Sequence, residues 1–159
     1  MRTKSMNSIN KDRHLLISVD NSENAERAVS YVADFLGGVS GFRATILNVI
    51  PEPPLDYFQT DKDRTAWIEE HKSEANRMLD RFRQILIQSG FVKDKVKTIL
   101  DIRHCPSVAD SILEIQQRLE CCTIVIGRRG ISKKEEFLFG STSSKIMRLG
   151  RNCAIWVIE

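Results

Sequence analysis

The chain alternates short apolar runs with longer stretches in which apolar residues recur every three or four positions. His14 to Val19 (HLLISV) is an apolar run ending at Asp20, short enough for a buried strand. Ser22 and Glu23 then suit a helix start, the hydroxyl as cap and the carboxylate at the positive end. Ala25, Ala28, Val29, Val32, Ala33 and Leu36 follow in steps of three and four, one stripe along a helix that Gly37-Gly38 ends. Arg43 to Ile50 (RATILNVI) is β-branched and predicts the second strand. The PEPP segment carries Pro51, Pro53 and Pro54 and predicts irregular backbone. Asp61 to Ser89 reads as a long amphipathic helix with Ala75, Met78, Leu79, Phe82, Ile85 and Leu86 inward, stopped by Gly90.

The second half repeats the scheme. Val96 to Ile102 is a third strand, and Pro106-Ser107 opens a helix with Val108, Ala109, Ile112, Leu113 and Leu119 on its core face. Thr123 to Ile126 is a fourth strand running into Gly127. A helix is expected near Ser141 to Leu149, and Cys153 to Ile158 (CAIWVI) is the last strand. Strands separated by helices pair in parallel, with helices on both faces. The expected fold is therefore an α/β domain with a doubly wound five-stranded parallel sheet. It spans residues 14–159, with 1–13 as a polar tail.

Composition narrows the class. The 159 residues are 42% hydrophobic and 28% charged, an ordinary globular balance. A net charge of +3 is too mild to make nucleic acid the expected partner. No apolar run nears the ~18 residues of a membrane span. The first thirteen residues lack the apolar stretch of a signal peptide, so a cytoplasmic location is expected. Cys105, Cys121, Cys122 and Cys153 form no C-x-x-C pair. They read as free thiols, mostly buried; a redox or soft-metal role for the vicinal pair Cys121-Cys122 is the other reading.

Ligands of open α/β sheets bind beyond the carboxyl ends of the strands, where strand order switches direction. Two strand ends carry unusual chemistry: Asp20, and the stretch GRRGISKKEEFLFGSTSS over 127–144. Glycines at 127, 130 and 140 allow close backbone approach. A Ser/Thr-rich helix start offers N–H groups and hydroxyls to an anion. Residues 127–151 hold seven Lys/Arg against two Glu, a balance of +5, which leaves −2 for the rest of the chain. Positive field thus gathers around the loop, as a phosphate cradle requires. Spacing alone equally allows a solvated basic loop with glycines serving turns. P-loop and dinucleotide fingerprints are absent. Asp20 reads either as a ligand contact or as a cap of the first helix, and His104, Trp67 and Trp156 read as surface or packing residues.

Gly127-x2-Gly130-x9-Gly140-Ser141 resembles the ATP-binding loop of universal stress proteins, G-x2-G-x9-G-[ST]. LISVDNSENAERAVSYV, NVI after the second strand, Pro106-Ser107 and the closing strand also fit, so the resemblance covers about residues 14–158. It implies the five-stranded fold of adenine-nucleotide alpha-hydrolase type, ATP as ligand with Mg²⁺ as a companion, and a homodimer. Position by position, it implies Asp20 near ribose and phosphates and as the one candidate for Mg²⁺. Ser18 lines the same crevice, and the Val49 backbone meets the adenine edge. Ile126 and Gly127 fall on the ribose side, and Gly130, Gly140, Ser141 and Thr142 at the phosphates. Arg128 and Arg129 make the loop more basic than the family pattern, which favours more negative phosphate chains or another acidic ligand and adds Arg129 to the binding set. Arg103-His104-Cys105-Pro106 replaces a turn that often holds glycine, and Cys121-Cys122 stands where aspartate is common.

The leading expectation is a nucleotide-responsive stress or signalling module, in which an adenine nucleotide is bound and reported to a protein partner. A slow ATPase or a nucleotidyl or phosphoryl transferase is one alternative. A nucleotide-free interaction protein using the basic loop is another. No catalytic base is evident: Glu135 and Glu136 sit beside Lys133 and Lys134. CAIWVI, apolar and last in the chain, is expected at a sheet edge, where residues 153–158 pair with a second copy.

Overall fold

A computed structural model describes residues 12–128 and 140–159. The elements are β1 (Arg13–Ser18), α1 (Glu23–Leu36), β2 (Phe42–Pro51), α2 (Asp61–Gln88), β3 (Val96–Arg103), α3 (Val108–Arg118), β4 (Thr123–Gly127), α4 (Ser141–Leu149) and β5 (Ala154–Ile158). The sheet order is β3-β2-β1-β4-β5, every pair parallel. β1 begins at Arg13, the last residue assigned to the tail, and Asp12 before it pairs with Lys95 at 2.7 Å.

Alternation along the strands splits the core in two. Leu15, Ile17, Ala44, Ile46 and Val125 pack under α1 and α2, whose stripes supply Val29, Val32, Leu79 and Phe82. Leu16, Leu47, Ile124 and Ile126 face the other way, under Ile112 and Ile115 of α3 and Ile146 of α4. All six residues of the α1 stripe are buried. A sheet covered on both faces explains why its central strands are apolar at nearly every position.

Some local expectations fail. β2 extends to Pro51, which pairs with Arg103 of β3, and Glu52 N closes that pairing by donating to Arg103 O at 3.0 Å. A 3₁₀ turn, Leu55–Tyr57, follows the prolines, in a stretch for which the sequence carries no expectation. α2 starts with a capping box: the Thr60 hydroxyl accepts from Asp63 N, and Asp63 returns to Thr60 N. Of the cysteines, only Cys121 is fully buried; Cys105 and Cys153 are intermediate and Cys122 is exposed, all four as thiols. Burial pushes the Cys121 thiol up to about 12. Among the described residues, no helix is long and apolar enough to cross a membrane.

Candidate functional site

β1 leaves toward β2 on one side of the sheet, while β4 flanks it on the other. Their carboxyl ends are adjacent, with Ser18 opposite Ile126. The chains leaving them diverge, and a cavity of about 270 Å³ opens between, near the lower bound of roughly 300–1,000 Å³ for small-molecule sites. Ser18 and Asp20 line it from β1 and its exit, Val49 from β2, and Ile126 and Gly127 from β4. Gly140, Ser141 and Thr142 line it from the start of α4. Every expected site residue within the described chain thus borders one cavity. Arg129 and Gly130 lie outside the described residues, as do Lys133, Lys134, Glu135 and Glu136.

Asp20 does not cap α1. That cap is Ser22, whose hydroxyl accepts from Ala25 N at 3.2 Å. Asp20 Oδ1 instead accepts from Ser22 N at 3.0 Å and from the Ser22 hydroxyl, so the carboxylate braces the residue that starts the helix. Asn48, buried, donates from Nδ2 to Val19 O at 2.7 Å and ties the β1 exit to β2. These contacts fix the turn on which Asp20 stands.

The glycines divide by cause. A Cβ on Gly127 would stand 2.4 Å from the Asn24 carbonyl oxygen and 2.9 Å from Ala25 N. Gly127 therefore serves the packing of β4 against the first turn of α1, quite apart from any ligand. Gly140 has φ −63° and ψ 159°, which any residue adopts, so its backbone conformation does not require glycine. What Gly140 lacks is a capping side chain. The ladder of α4 begins with Ser144 N on Gly140 O at 2.9 Å, so the N–H groups of Ser141, Thr142 and Ser143 have no intrahelical partner.

The described part of the basic stretch lies off the cavity wall, and Arg129, Lys133 and Lys134 fall outside the described residues. Among the described residues, no Lys or Arg lines the cavity. Arg128 pairs with Glu159 at 3.3 Å and Lys145 with Asp110 at 2.8 Å, whereas Arg148 and Arg151 are exposed. The described walls instead gather three helix starts, at Ser22 and Ala25 of α1, Val108 of α3 and Gly140 to Ser143 of α4. Each carries about half a positive charge. Asp20 is the single carboxylate among the described lining residues.

This donor set fits a phosphate, and Val49, Pro51, Val108 and Ile126 supply an apolar wall that fits a base. Among the described residues, no three His, Cys, Asp or Glu side chains could hold a metal. Mg²⁺ would therefore take Asp20 plus phosphate oxygens and water. The Arg103 to Pro106 turn does not line the cavity. Arg103 is held by Asp101 at 2.9 Å and Glu114 at 3.0 Å, and the Glu114 hydrogen bond raises its pKa. His104 is exposed, Trp67 packs on His71 and Phe58, and Trp156 meets Tyr31 and Phe35 edge-on. Ser22, Val108 and Ser143 also line the cavity: the sequence points to Ser22 as a cap, to Val108 as core and to Ser143 only as part of the Ser/Thr-rich helix start. All three sit at starts of helices that follow strands, and that position is the signal.

The universal stress protein family model matches residues 12–158. Hypothetical protein MJ0577 superposes with a TM-score of 0.74 at 23% identity, over 92% of this chain and 94% of that one. Universal stress protein UspA from Lactobacillus plantarum gives 0.73 at 20%, over 94% and 99%. A universal stress protein from Archaeoglobus fulgidus, solved in complex with dAMP, gives 0.64 at 20%, over 95% and 100%. No curated protein sequence matches the chain.

Proposed function

The chain belongs to the universal stress protein family, and on that premise we propose that it is an adenine-nucleotide-binding module whose physiological ligand is ATP. The observation that carries the reading is the uncapped start of α4 bordering the same cavity as Asp20 and Val49. The dAMP complex of the Archaeoglobus fulgidus protein supports the adenine class. In this reading the backbone of Val49 meets the adenine edge, and Ile126 and Gly127 flank the ribose. Ser18 and Asp20 border ribose and phosphates. Gly140, Ser141 and Thr142 hold the phosphates, joined by Arg129 and Gly130. Mg²⁺, where present, rides on the phosphates beside Asp20.

Binding rather than turnover is the function. Three helix starts supply donors, but the one carboxylate on the described walls is engaged with Ser22. Donors without a base bind ground state and transition state alike, which gives affinity without rate. ATP hydrolysis is therefore expected well below ~1 s⁻¹. The module works in the cytoplasm and reports nucleotide state to a protein partner. It works as a homodimer through β5, an edge strand with exposed Tyr31 and Phe35 on one shoulder and Met147 and Leu149 on the other.

The deciding experiment is to denature freshly purified protein and identify released small molecules by absorbance and chromatography, then titrate stripped protein with ATP, ADP and AMP. A released adenine nucleotide and saturable ATP binding are expected. An empty crevice with no nucleotide affinity would leave the interaction-protein alternative. Rapid single-turnover hydrolysis, lost in Asp20→Ala, would favour the enzyme. Sedimentation is expected to give a dimer that Ile155→Lys shifts toward monomer.

A further inference from the structure

α4 is lightly anchored for the work its start is given. Of its nine residues only Ser143 and Ile146 are buried, yet Ser141, Thr142 and Ser143 form one wall of the cavity. Another wall comes from the start of α3 at Val108. One side chain ties the two starts together. Lys145 Nζ stands 2.8 Å from Asp110 Oδ2 and donates to Ser107 Oγ at 3.0 Å. Ser107 is the cap of α3: its hydroxyl accepts from Asp110 N at 3.2 Å and donates to Asp110 Oδ2 at 2.7 Å. The ammonium therefore grips the cap itself. Among the described residues, it is the one ion pair that reaches α4 from another element.

We propose that Lys145, held by Asp110 and Ser107, is a positioning residue that locks the α4 start against the α3 start and keeps the N–H groups of Ser141, Thr142 and Ser143 turned into the cavity. The inference rests on the adenine-nucleotide reading. Backbone donors act on a phosphate only when their direction is fixed to within about half an ångström, so a short helix with two buried residues needs a tether. An ammonium suits the task, because three donors on one nitrogen serve a carboxylate and a hydroxyl at once. The Asp110 carboxylate neutralises it and is itself held below the usual range by the Lys145 hydrogen bond, with Ser107 adding to the effect. Lys145 thus gives the site geometry rather than net charge, and its loss is felt by ligands that carry phosphate.

The test compares Lys145→Gln, Asp110→Asn, the double variant and Lys145→Arg with the wild-type protein. Calorimetry measures ATP and adenosine affinity, and hydrogen exchange across 140–149 is followed without ligand. Each single loss is expected to weaken ATP binding about three- to tenfold, with the double variant no weaker than the worse single. Adenosine affinity is expected to stay within about twofold, exchange in α4 to accelerate, and Lys145→Arg to recover most of the ATP affinity. Equal losses for adenosine and ATP, additive losses, or unchanged exchange would overturn the clamp. A wild-type protein that binds neither ligand overturns the nucleotide reading and the clamp together, whereas wild-type binding that no variant changes overturns the clamp alone.

Discussion

The two ends of the sheet both carry polar side chains and treat them in opposite ways. At the carboxyl end Ser22, Ser141, Thr142 and Ser143 border a cavity. At the amino end polar groups turn on one another. Buried His14 meets the Thr45 hydroxyl through Nε2 at 2.8 Å, Gln116 Nε2 donates to Cys121 O at 2.9 Å, and Cys122 N donates to His14 O at 3.0 Å. Chain direction explains the contrast. In a parallel sheet every crossover helix starts beside the strand end it follows, so N–H donors collect at the carboxyl end and helix carbonyls at the other. One end is left able to take an anion, and the other is closed by its own side chains.

The largest effect is expected where the two roles of the carboxyl end overlap. Gly127→Val puts a Cβ against the Asn24 backbone and should cost about 3 kcal/mol or more of stability, read by urea denaturation. If Gly127 served a ligand alone, the midpoint would not move. Next is His14→Leu, which strands the buried Thr45 hydroxyl and should cost about 1–3 kcal/mol while leaving ATP affinity unchanged. Adding Thr45→Val should recover much of that loss, and a fall in ATP affinity would blur the distinction between the ends. Ser141→Ala is expected to do the reverse, weakening ATP by about 1–2 kcal/mol in calorimetry with no change in thermal unfolding.

The smallest effect concerns pH. The Cys121 thiol is raised from 9.0 to about 12 by burial, so the folded state keeps its proton after the unfolded chain has lost it. Its contribution is fully present below pH 9 and is lost as pH climbs from 9 toward 12. Stability should therefore fall over that window, and less so in Cys121→Ala. At pH 8, alkylation of the folded protein should label exposed Cys122 and spare Cys121 until denaturant is added.

Sequence periodicity carried the fold well because both core layers are built from regular stripes. The α1 stripe is buried at every expected position, and α4 runs from Ser141 to Leu149 as expected. What escaped was local or distant. The Thr60–Asp63 box is written in the sequence, but its capping signal was not used. His14 and Thr45 are 31 residues apart, and their contact depends on a register no single segment encodes. The site was legible through its motif, which singled out the cavity wall from Gly140 to Thr142. The α1 and α3 starts on its wall were not tied to it, because which helix starts share one crevice follows from strand order, which no single segment spells out. Val108 was hidden for the same reason.

Gly127 has a consequence for how relatives of this chain are sorted. Its hydrogen side chain answers to the backbone of Asn24, a contact that persists whatever fills the crevice. A descendant that bound nothing would still be held to glycine here by its fold, whereas the backbone at Gly140, φ −63° and ψ 159°, demands no glycine. Inheritance of the first glycine therefore records the fold and says nothing of a ligand. A census that takes it as a sign of binding would count proteins that hold it for their backbone alone.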